Sequence, residues 1–298
     1  MMSGDQVVMG VDIGGTHITA ALVNTVSGQL IRHSLRRRRV NAAAAAETVI
    51  AEWVQCIRES MVQGPVDVIS FAMPGPIDYD TGISYMRGQD KYEYLYGLNL
   101  KDLLAQALGF PRSGLFMYND ASCFLQGEIY AGCARSYAKD KMIGITLGTG
   151  LGSAVYNNGA STSADKWCVR FKGGIAEDFL STRWFTGRWE EITGVKLSGV
   201  RELGQVALDG DTAAKHIFSE FGDHLGQFVF DFAQAEKPQA VVIGGNIAKA
   251  HALFIPSAEK VLRSLGLSLR LLPAAIGEEA LLLGAVSNWN HHLRKQPG

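Results

Sequence analysis

The 298-residue sequence predicts an α/β protein of two domains. Three observations predict it. Strand-like apolar runs alternate with helix-like amphipathic runs along the whole chain. One pattern, strand then glycine turn then strand, occurs twice: Val11-Asp12-Ile13-Gly14-Gly15-Thr16-His17 and Thr146-Leu147-Gly148-Thr149-Gly150-Leu151-Gly152. The length also suits two domains of ordinary size. Glycine leaves no Cβ in the way, so the N–H groups of such a turn can converge on an anion. Two such turns suggest two halves gripping one polyphosphate.

In order, Val7 to Asp12, Thr19 to Asn24 and Gln29 to Leu35 read as strands, with Ser27-Gly28 as a turn. The basic run Arg36 to Arg39 reads as a solvated strand end or loop. Asn41 can cap a helix over Ala42 to Met61, where Val49, Trp53, Cys56 and Ile57 recur at helical spacing. Val66 to Met73 is a buried-type strand closed by Pro74-Gly75-Pro76. Ile77 to Gly97 is irregular, and its part from Tyr79 to Tyr96 is rich in tyrosine and charge. That composition suits a sugar face and equally a dimer contact. Asn99 can cap a helix running to Leu108. Leu115 to Tyr118 is a strand ending at Asn119-Asp120, and Ala121 to Ala131 is a helix. Met142 to Tyr156 holds the second hairpin, and Asn157 to Gly174 reads as a loop. Ala176 to Phe185, Gly199 to Leu208 and Asp211 to Ala235 read as helices. Ala240 to Ile243 is a strand ending in Gly244-Gly245-Asn246, with a helix from Ile247. Leu267 to Leu272 is a strand, and Glu278 to Asn290 a helix.

Composition narrows the function classes. The chain is 47% hydrophobic and 19% charged, so it can bury a core. Its net charge of −1 gives no global reason to expect nucleic acid or a membrane surface. Cys56, Cys123, Cys133 and Cys168 form no C-x-x-C pair, so reduced thiols and a cytoplasmic setting are expected. No signal peptide and no membrane span is expected.

Asp-x-Gly-Gly-Thr on the first hairpin, Asn-Asp after a later strand, Leu-Gly-Thr-Gly-x-Gly, and Ile-Gly-Gly-Asn follow in order from about Val8 to Val286. Together they resemble the ROK family of sugar kinases. Met73-Pro74-Gly75-Pro76-Ile77-Asp78 resembles that family's sugar-side loop, and Gly277 to Val286 its closing helix. The resemblance implies two actin-like (ribonuclease H-like) α/β domains with an interdomain active-site cleft. The first would span 1–118, with a helix at about 278–298 packing back on it, and the second 119–277. It implies a phosphotransferase carrying a phosphoryl group from ATP with Mg²⁺ to a hydroxyl of a hexose or hexose derivative, as a glucokinase does. A homodimer that closes on sugar is the family's expectation.

Residue by residue, the resemblance makes Asp120 the general base and Asn119 a ligand of sugar hydroxyls, with Gly75 on the sugar-side loop. A strand-to-helix junction is where α/β folds place functional residues, but Asp120 also suits a helix N-cap and Asn119 a turn. Gly14, Gly15, Thr16 and His17 would surround the transferred phosphate, His17 as a loop contact. Asp12 would hold Mg²⁺ through water, because Mg²⁺ dehydrates reluctantly. Gly148, Thr149, Gly150 and Gly152 would form the second grip. Gly244, Gly245 and Asn246 end a strand and open a helix, where adenosine or its phosphates can lie against the helix N-terminus.

The chain also departs from the family. Most members carry Glu-x-Gly-His after the second turn and a zinc-binding cysteine cluster. The interval Asn157 to Gly174 has no histidine and one cysteine, Cys168. A structural zinc needs four ligands, so no zinc site is expected. Gly173-Gly174-Ile175-Ala176-Glu177 keeps the outline of the cluster's tail, and Glu177 matches the family's last sugar-binding glutamate. Asp165 is the acidic residue of the shortened loop. Two alternatives stand beside the ATP-dependent kinase. One is a glucokinase using inorganic polyphosphate. The other is a non-catalytic sugar sensor of the ROK type, here without a DNA-binding helix-turn-helix, because the first strand begins by Val7.

Overall fold

The computed structural model describes residues 7–88 and 91–295, the side chains of 294 and 295 excepted. The expectations for residues 1–6, for residues 89–90 of the tyrosine-rich segment and for the end of the closing helix lie outside them. Backbone contacts divide the chain into two compact units. One holds the chain up to Ala131 and again from Glu278; the other is Gly132–Gly277. The division falls after Ala131, not at Tyr118. The helix that begins at Asp120 therefore belongs to the first unit.

The first unit opens with β1 (Val7–Ile13) and β2 (His17–Asn24), an antiparallel hairpin closed by the first glycine turn. β3 is only Gln29–Leu30. A 3₁₀ turn over Arg32–Ser34 ends the strand expected to reach Leu35. The four arginines then form β4 (Arg36–Arg39), paired with His17 to Ala20 of β2. Of the two readings, solvated strand end or loop, pairing with β2 selects the strand, because alternate arginines can face solvent while the backbone joins the sheet. Next come α1 (Ala46–Met61), β5 (Ile69–Met73), the small pair β6 (Ile77–Asp78) and β7 (Ile83–Ser84), and α2 (Leu100–Leu108). Asn41 accepts only from the Ala43 N–H, so α1 starts four residues later than its expected cap implies. Asn99 does cap α2, accepting from the Asp102 N–H. β8 (Leu115–Asn119) and α3 (Asp120–Tyr130) follow. The sheet runs β3-β2-β1-β5-β8, with β1, β5 and β8 parallel.

The second unit repeats that plan. β9 (Met142–Leu147) and β10 (Leu151–Asn157) make its hairpin, and β11 (Ala160–Ser163) adds to the edge. β12 (Arg170–Phe171) and β13 (Gly174–Ile175) pair with each other. β11 and β12 lie in the interval expected to be a loop. The helix expected over Ala176 to Phe185 is broken into α4 (Ala176–Phe179) and α5 (Thr182–Thr193). Then come α6 (Val200–Leu208), α7 (Thr212–Glu236), β14 (Ala240–Gly244), α8 (Ile255–Ser264) and β15 (Arg270–Pro273). Ile247–Leu253 is 3₁₀ rather than α-helical. The sheet order β11-β10-β9-β14-β15 matches that of the first unit strand for strand. The repeated glycine turn is thus one feature of a repeated architecture. Ile143, Ile145, Val241 and Ile243 form the core here with Phe218, Phe221, Leu225 and Val229 of α7.

The last element, α9 (Glu279–Lys295), returns to the first unit. The two faces of that unit's sheet are covered differently. Met9, Val11 and Ile13 pack with Trp53 and Ile57 of α1 on one face. On the other face Gly10 and Asp12 point towards α9, and α9 crosses α3. Glycine decides how close these layers come. A Cβ on Gly10 would lie 2.7 Å from the Leu282 carbonyl oxygen, one on Gly127 2.0 Å from that of Ala280, and one on Gly284 1.7 Å from that of Cys123. The Ser70 hydroxyl also donates to the Ala285 carbonyl at 2.7 Å, and Gln126 Nε2 to the Ser287 hydroxyl at 3.0 Å. α7 and α8 meet the same way: a Cβ on Gly222 would stand 2.3 Å from the Phe254 carbonyl oxygen.

Gly284→Ala forces α3 and α9 apart and should destabilise the protein by about 3 kcal/mol or prevent folding. Gly187 is the control: it is exposed on α5 and a Cβ there meets nothing within 4 Å. Gly187→Ala should stabilise by roughly 0.5–1 kcal/mol, as alanine does in a helix interior. Urea unfolding of both variants checks the pair; equal effects would contradict the packing argument.

Candidate active site

In the first unit, the expected residues gather at the carboxyl ends of parallel strands, where α/β sheets place ligands. Asp12, next to last in β1, lies opposite Ala72 of β5, and Met73 pairs with Asn119 of β8. Asp120 is the first residue of α3. Asn119, not Asp120, caps that helix: its Oδ1 accepts from the Ser122 N–H at 3.1 Å. Asp120 accepts from its neighbour Ala121 N–H at 2.8 Å, so a second oxygen stays available. Asn119 Nδ2 donates to the Tyr79 hydroxyl at 3.3 Å, and that hydroxyl to the Met73 carbonyl at 3.2 Å. Gly75 lies against the same ring, with no room for a side chain: its Cβ would be 2.9 Å from Tyr79 Oη. Gly75, Tyr79 and Asn119 therefore form one surface beside Asp120.

The first glycine turn is closed by the Gly14 N–H donating to the His17 carbonyl at 2.9 Å, while Thr16 Oγ1 and His17 Nδ1 pair at 2.9 Å. Tyr92 braces it from outside, with Oη donating to the Gly14 carbonyl at 2.6 Å. Tyr92 is fully buried, edge-on to Trp53 at 5.4 Å. The tyrosine-rich segment thus contributes Tyr92 to the turn, while Tyr85, Tyr94 and Tyr96 remain exposed.

Charge at this place is mostly negative. Burial, then Asp120 and Glu278, push the Asp12 carboxyl up to about 8, against the opposing Arg37. Strand register explains Arg37: Asp12 pairs with Thr19, and Thr19 with Arg37, so all three share one row. Arg37 also forms an ion pair with Glu278, which immediately precedes α9. Burial likewise raises Asp120, while Lys91 and the local backbone N–H groups pull it down. Asp12 has the chemistry of a water-mediated Mg²⁺ ligand: a hard oxygen donor with other carboxylates, Asp120 and Glu278, nearby. Among the described residues no three His, Cys, Asp or Glu side chains cluster as a metal site, so an ion there would need oxygens from water and a bound phosphate. Arg37, Glu278, Lys91 and Tyr92 were not anticipated from sequence. The closing helix marked Glu278 and the basic run marked Arg37, but no local signal joins them to Asp12.

In the second unit, the second turn and the Gly244-Gly245-Asn246 loop lie at one end of one sheet. Gly244 pairs with Thr146 across β14 and β9. Gly245 adopts φ +85°, and a Cβ there would stand 2.3 Å from the Leu147 carbonyl oxygen. Gly152 pairs with Thr146, so Gly148, Thr149 and Gly150 form the turn proper. Asn246 Oδ1 accepts from Lys249 Nζ at 2.8 Å. Glu177, expected to bind sugar, commits both carboxylate oxygens within this unit. One accepts from the Leu151 N–H at 2.9 Å and the other from Arg183 at 3.2 Å. Thr182 adds two donations to the Gly148 carbonyl, 2.8 Å from its N–H and 2.9 Å from its hydroxyl. The segment after the shortened loop thus braces the second turn.

The residues of that interval do not fit a zinc ion. Cys168 is exposed with its Sγ near the Asp165 carbonyl, and Asp165 accepts from the Ser163 hydroxyl. Rings hold the segment instead. His224 of α7 meets Trp184 at 5.1 Å and Phe179 at 5.4 Å, and Phe171 meets Phe179 at 5.6 Å. Burial and the nearby Lys172 push His224 down to about 4, so it stays neutral at physiological pH.

Two matching α/β units, each presenting a glycine turn at the strand ends, define a duplicated α/β fold. The sequence model of the ROK family matches residues 8–166 and 167–291, and the chain belongs to that family. It is 27% identical to a glucokinase of Thermotoga maritima, over 94% of this chain and 96% of the relative. It is 23% identical to the xylose repressor of Bacillus subtilis, over 94% of this chain and 76% of the relative. The ROK family glucokinase of Streptomyces griseus, solved with glucose and AMPPNP, superposes with a TM-score of 0.74. That pair is 22% identical, over 94% of this chain and 97% of the other, and shares the fold.

A raised Asp12 pKa has a consequence for stability. The folded protein holds a proton there that the unfolded chain, with an ordinary carboxyl near 4, releases. In the metal-free protein this makes stability fall as pH rises from about 4 to about 8. Asp12→Asn should flatten that fall and raise Tm at pH 8 by a few degrees. Thermal unfolding from pH 5 to 8 in chelator is the check; parallel wild-type and variant curves would refute it.

Proposed function

We propose that the chain is a cytoplasmic sugar kinase. It transfers a phosphoryl group from ATP with Mg²⁺ to a hydroxyl of a hexose or hexose derivative. The observation that carries this reading is Asp120. It starts α3 beside Asp12 and the first glycine turn, with one carboxylate oxygen uncommitted and its basicity raised by burial. The full-length likeness to a Thermotoga glucokinase supports it.

In this reading the hexose lies on the surface of Gly75, Tyr79 and Asn119. Asp120 accepts the proton of the attacking hydroxyl, which its raised pKa favours over a solvated carboxylate. Backbone N–H groups of the turn over Gly14 to His17 receive the transferred phosphoryl group, and Asp12 holds Mg²⁺ through water. The ion, when bound, neutralises phosphate charge. Gly148, Thr149, Gly150 and Gly152 hold the donor's phosphates, with Gly244, Gly245 and Asn246 near the adenosine. Glu177 and Thr182 keep that second turn rigid, so Glu177 acts on the donor side. No zinc takes part, and a homodimer is the working assembly. A second reading, a sugar sensor without catalysis, draws on the likeness to the xylose repressor.

A panel of hexoses and amino sugars, offered with ATP-Mg²⁺ or inorganic polyphosphate, tests this. Wild type should consume donor with at least one sugar, and Asp120→Asn should lower kcat by about 10²–10⁴-fold. Unchanged turnover in the variant would remove Asp120 from the base role. Sugar binding without turnover would favour the sensor. Donor consumption with polyphosphate alone would replace ATP.

A further inference from the structure

The first glycine turn lacks a cation of its own. Phosphoryl transfer gathers negative charge on the three equatorial oxygens of the moving group, and sites stabilise it with fixed positive charge. Within the turn, the Gly14 N–H is already donated to the His17 carbonyl, and Thr16 and His17 are paired with each other. Arg37, the cation in the Asp12 row, is paired with Glu278. Asp12 and Asp120 meanwhile bring two carboxylates to the place where a polyanion has to arrive.

We propose that Lys91 is the missing cation: its ammonium contacts the transferring phosphoryl group between the first glycine turn and Asp120. The proposal rests on the kinase reading above and adds a catalytic residue to it. Lys91 packs on the turn, since the Cβ position of Gly15 is 3.7 Å from its Cδ. Its positive charge also acts on Asp120 and lowers that carboxyl's pKa. Lys91 is half-buried, and among the described residues it forms no ion pair.

Its position is held by its neighbour. The Tyr92 N–H donates to the Ala42 carbonyl at 2.7 Å, and the Tyr92 hydroxyl to the Gly14 carbonyl at 2.6 Å. The backbone carrying Lys91 is therefore tied to the turn that its side chain covers. A four-carbon stem with a compact charge suits this task, because it can follow a phosphate as the group moves.

The test compares nucleotides with two and three phosphates. For Lys91→Met, affinity for AMPPNP with Mg²⁺ should fall at least about tenfold, while that for ADP with Mg²⁺ stays within twofold of wild type. With the sugar the panel identifies, kcat should fall about 10²–10³-fold, as for loss of one charge-stabilising group. The sugar dissociation constant should change less than twofold, and Lys91→Arg should recover part of kcat. Equal effects on both nucleotides, or no effect on either, would overturn the proposal. So would a loss confined to sugar affinity. A circular dichroism melt matching wild type excludes unfolding as the cause. If no sugar is phosphorylated, the kinase reading fails, while the nucleotide comparison still decides whether Lys91 meets a terminal phosphate.

Discussion

Backbone-to-backbone contact between α3 and α9, at Gly127 and Gly284, is the constraint on which the first unit depends. With carbonyl oxygens lying where Cβ atoms would otherwise stand, neither helix can carry a side chain at the crossing. Interiors are packed at crystal-like density, so such a contact allows little sliding. Asp120 opens one of these helices and Glu278 immediately precedes the other. Gly10 brings the same α9 onto β1, two residues before Asp12. The relative placing of three carboxylates thus follows from how closely two helices and a strand can approach. Electrostatics then acts on positions that packing has already set.

Those positions are costly for an empty protein. Carboxylates held near one another in partly buried surroundings favour protonation. Their repulsion is opposed by the charges of Arg37 and Lys91. The second unit solves a different problem with different means. Its turn is supported by hydrogen bonds from Glu177 and Thr182, and the segment carrying them is anchored by Phe171, Phe179, Trp184 and His224. The segment is held by ring edges, each contact contributing about 0.5–1.5 kcal/mol beyond burial.

Much of the fold was legible in the sequence, because its signals are local. The two hairpins show as apolar runs flanking glycine turns, and Asn99 caps its helix where capping chemistry places it. What misled was also local. Arg36 to Arg39 reads as a solvated strand end or loop until β2 offers its edge, and β11 is built from alanine, serine and threonine, a weak strand signal. At the site, Asp12, Asn119 and Asp120 could be picked out because their motifs are contiguous. Lys91, Arg37 and Glu278 could not, since their meaning comes from partners far along the chain. Glu177 could be picked out by its motif, but its bonds to the Leu151 N–H and to Arg183 could not, because those partners lie outside the motif.

The chain order of the two units has a temporal consequence. Because α9 follows the whole of Gly132–Gly277 yet packs within the first unit, that unit is an interrupted domain. Domains tend to fold as units while the chain is being made. Here the later-encoded unit has all its elements available while the earlier one, its strands already made, still lacks α9. The ribosome must release the residues after 277 before α3 has the partner that seats Asp120. A nascent or prematurely ended chain therefore holds a complete second unit and a first unit whose α3 has no partner. Competence arrives only with the last helix.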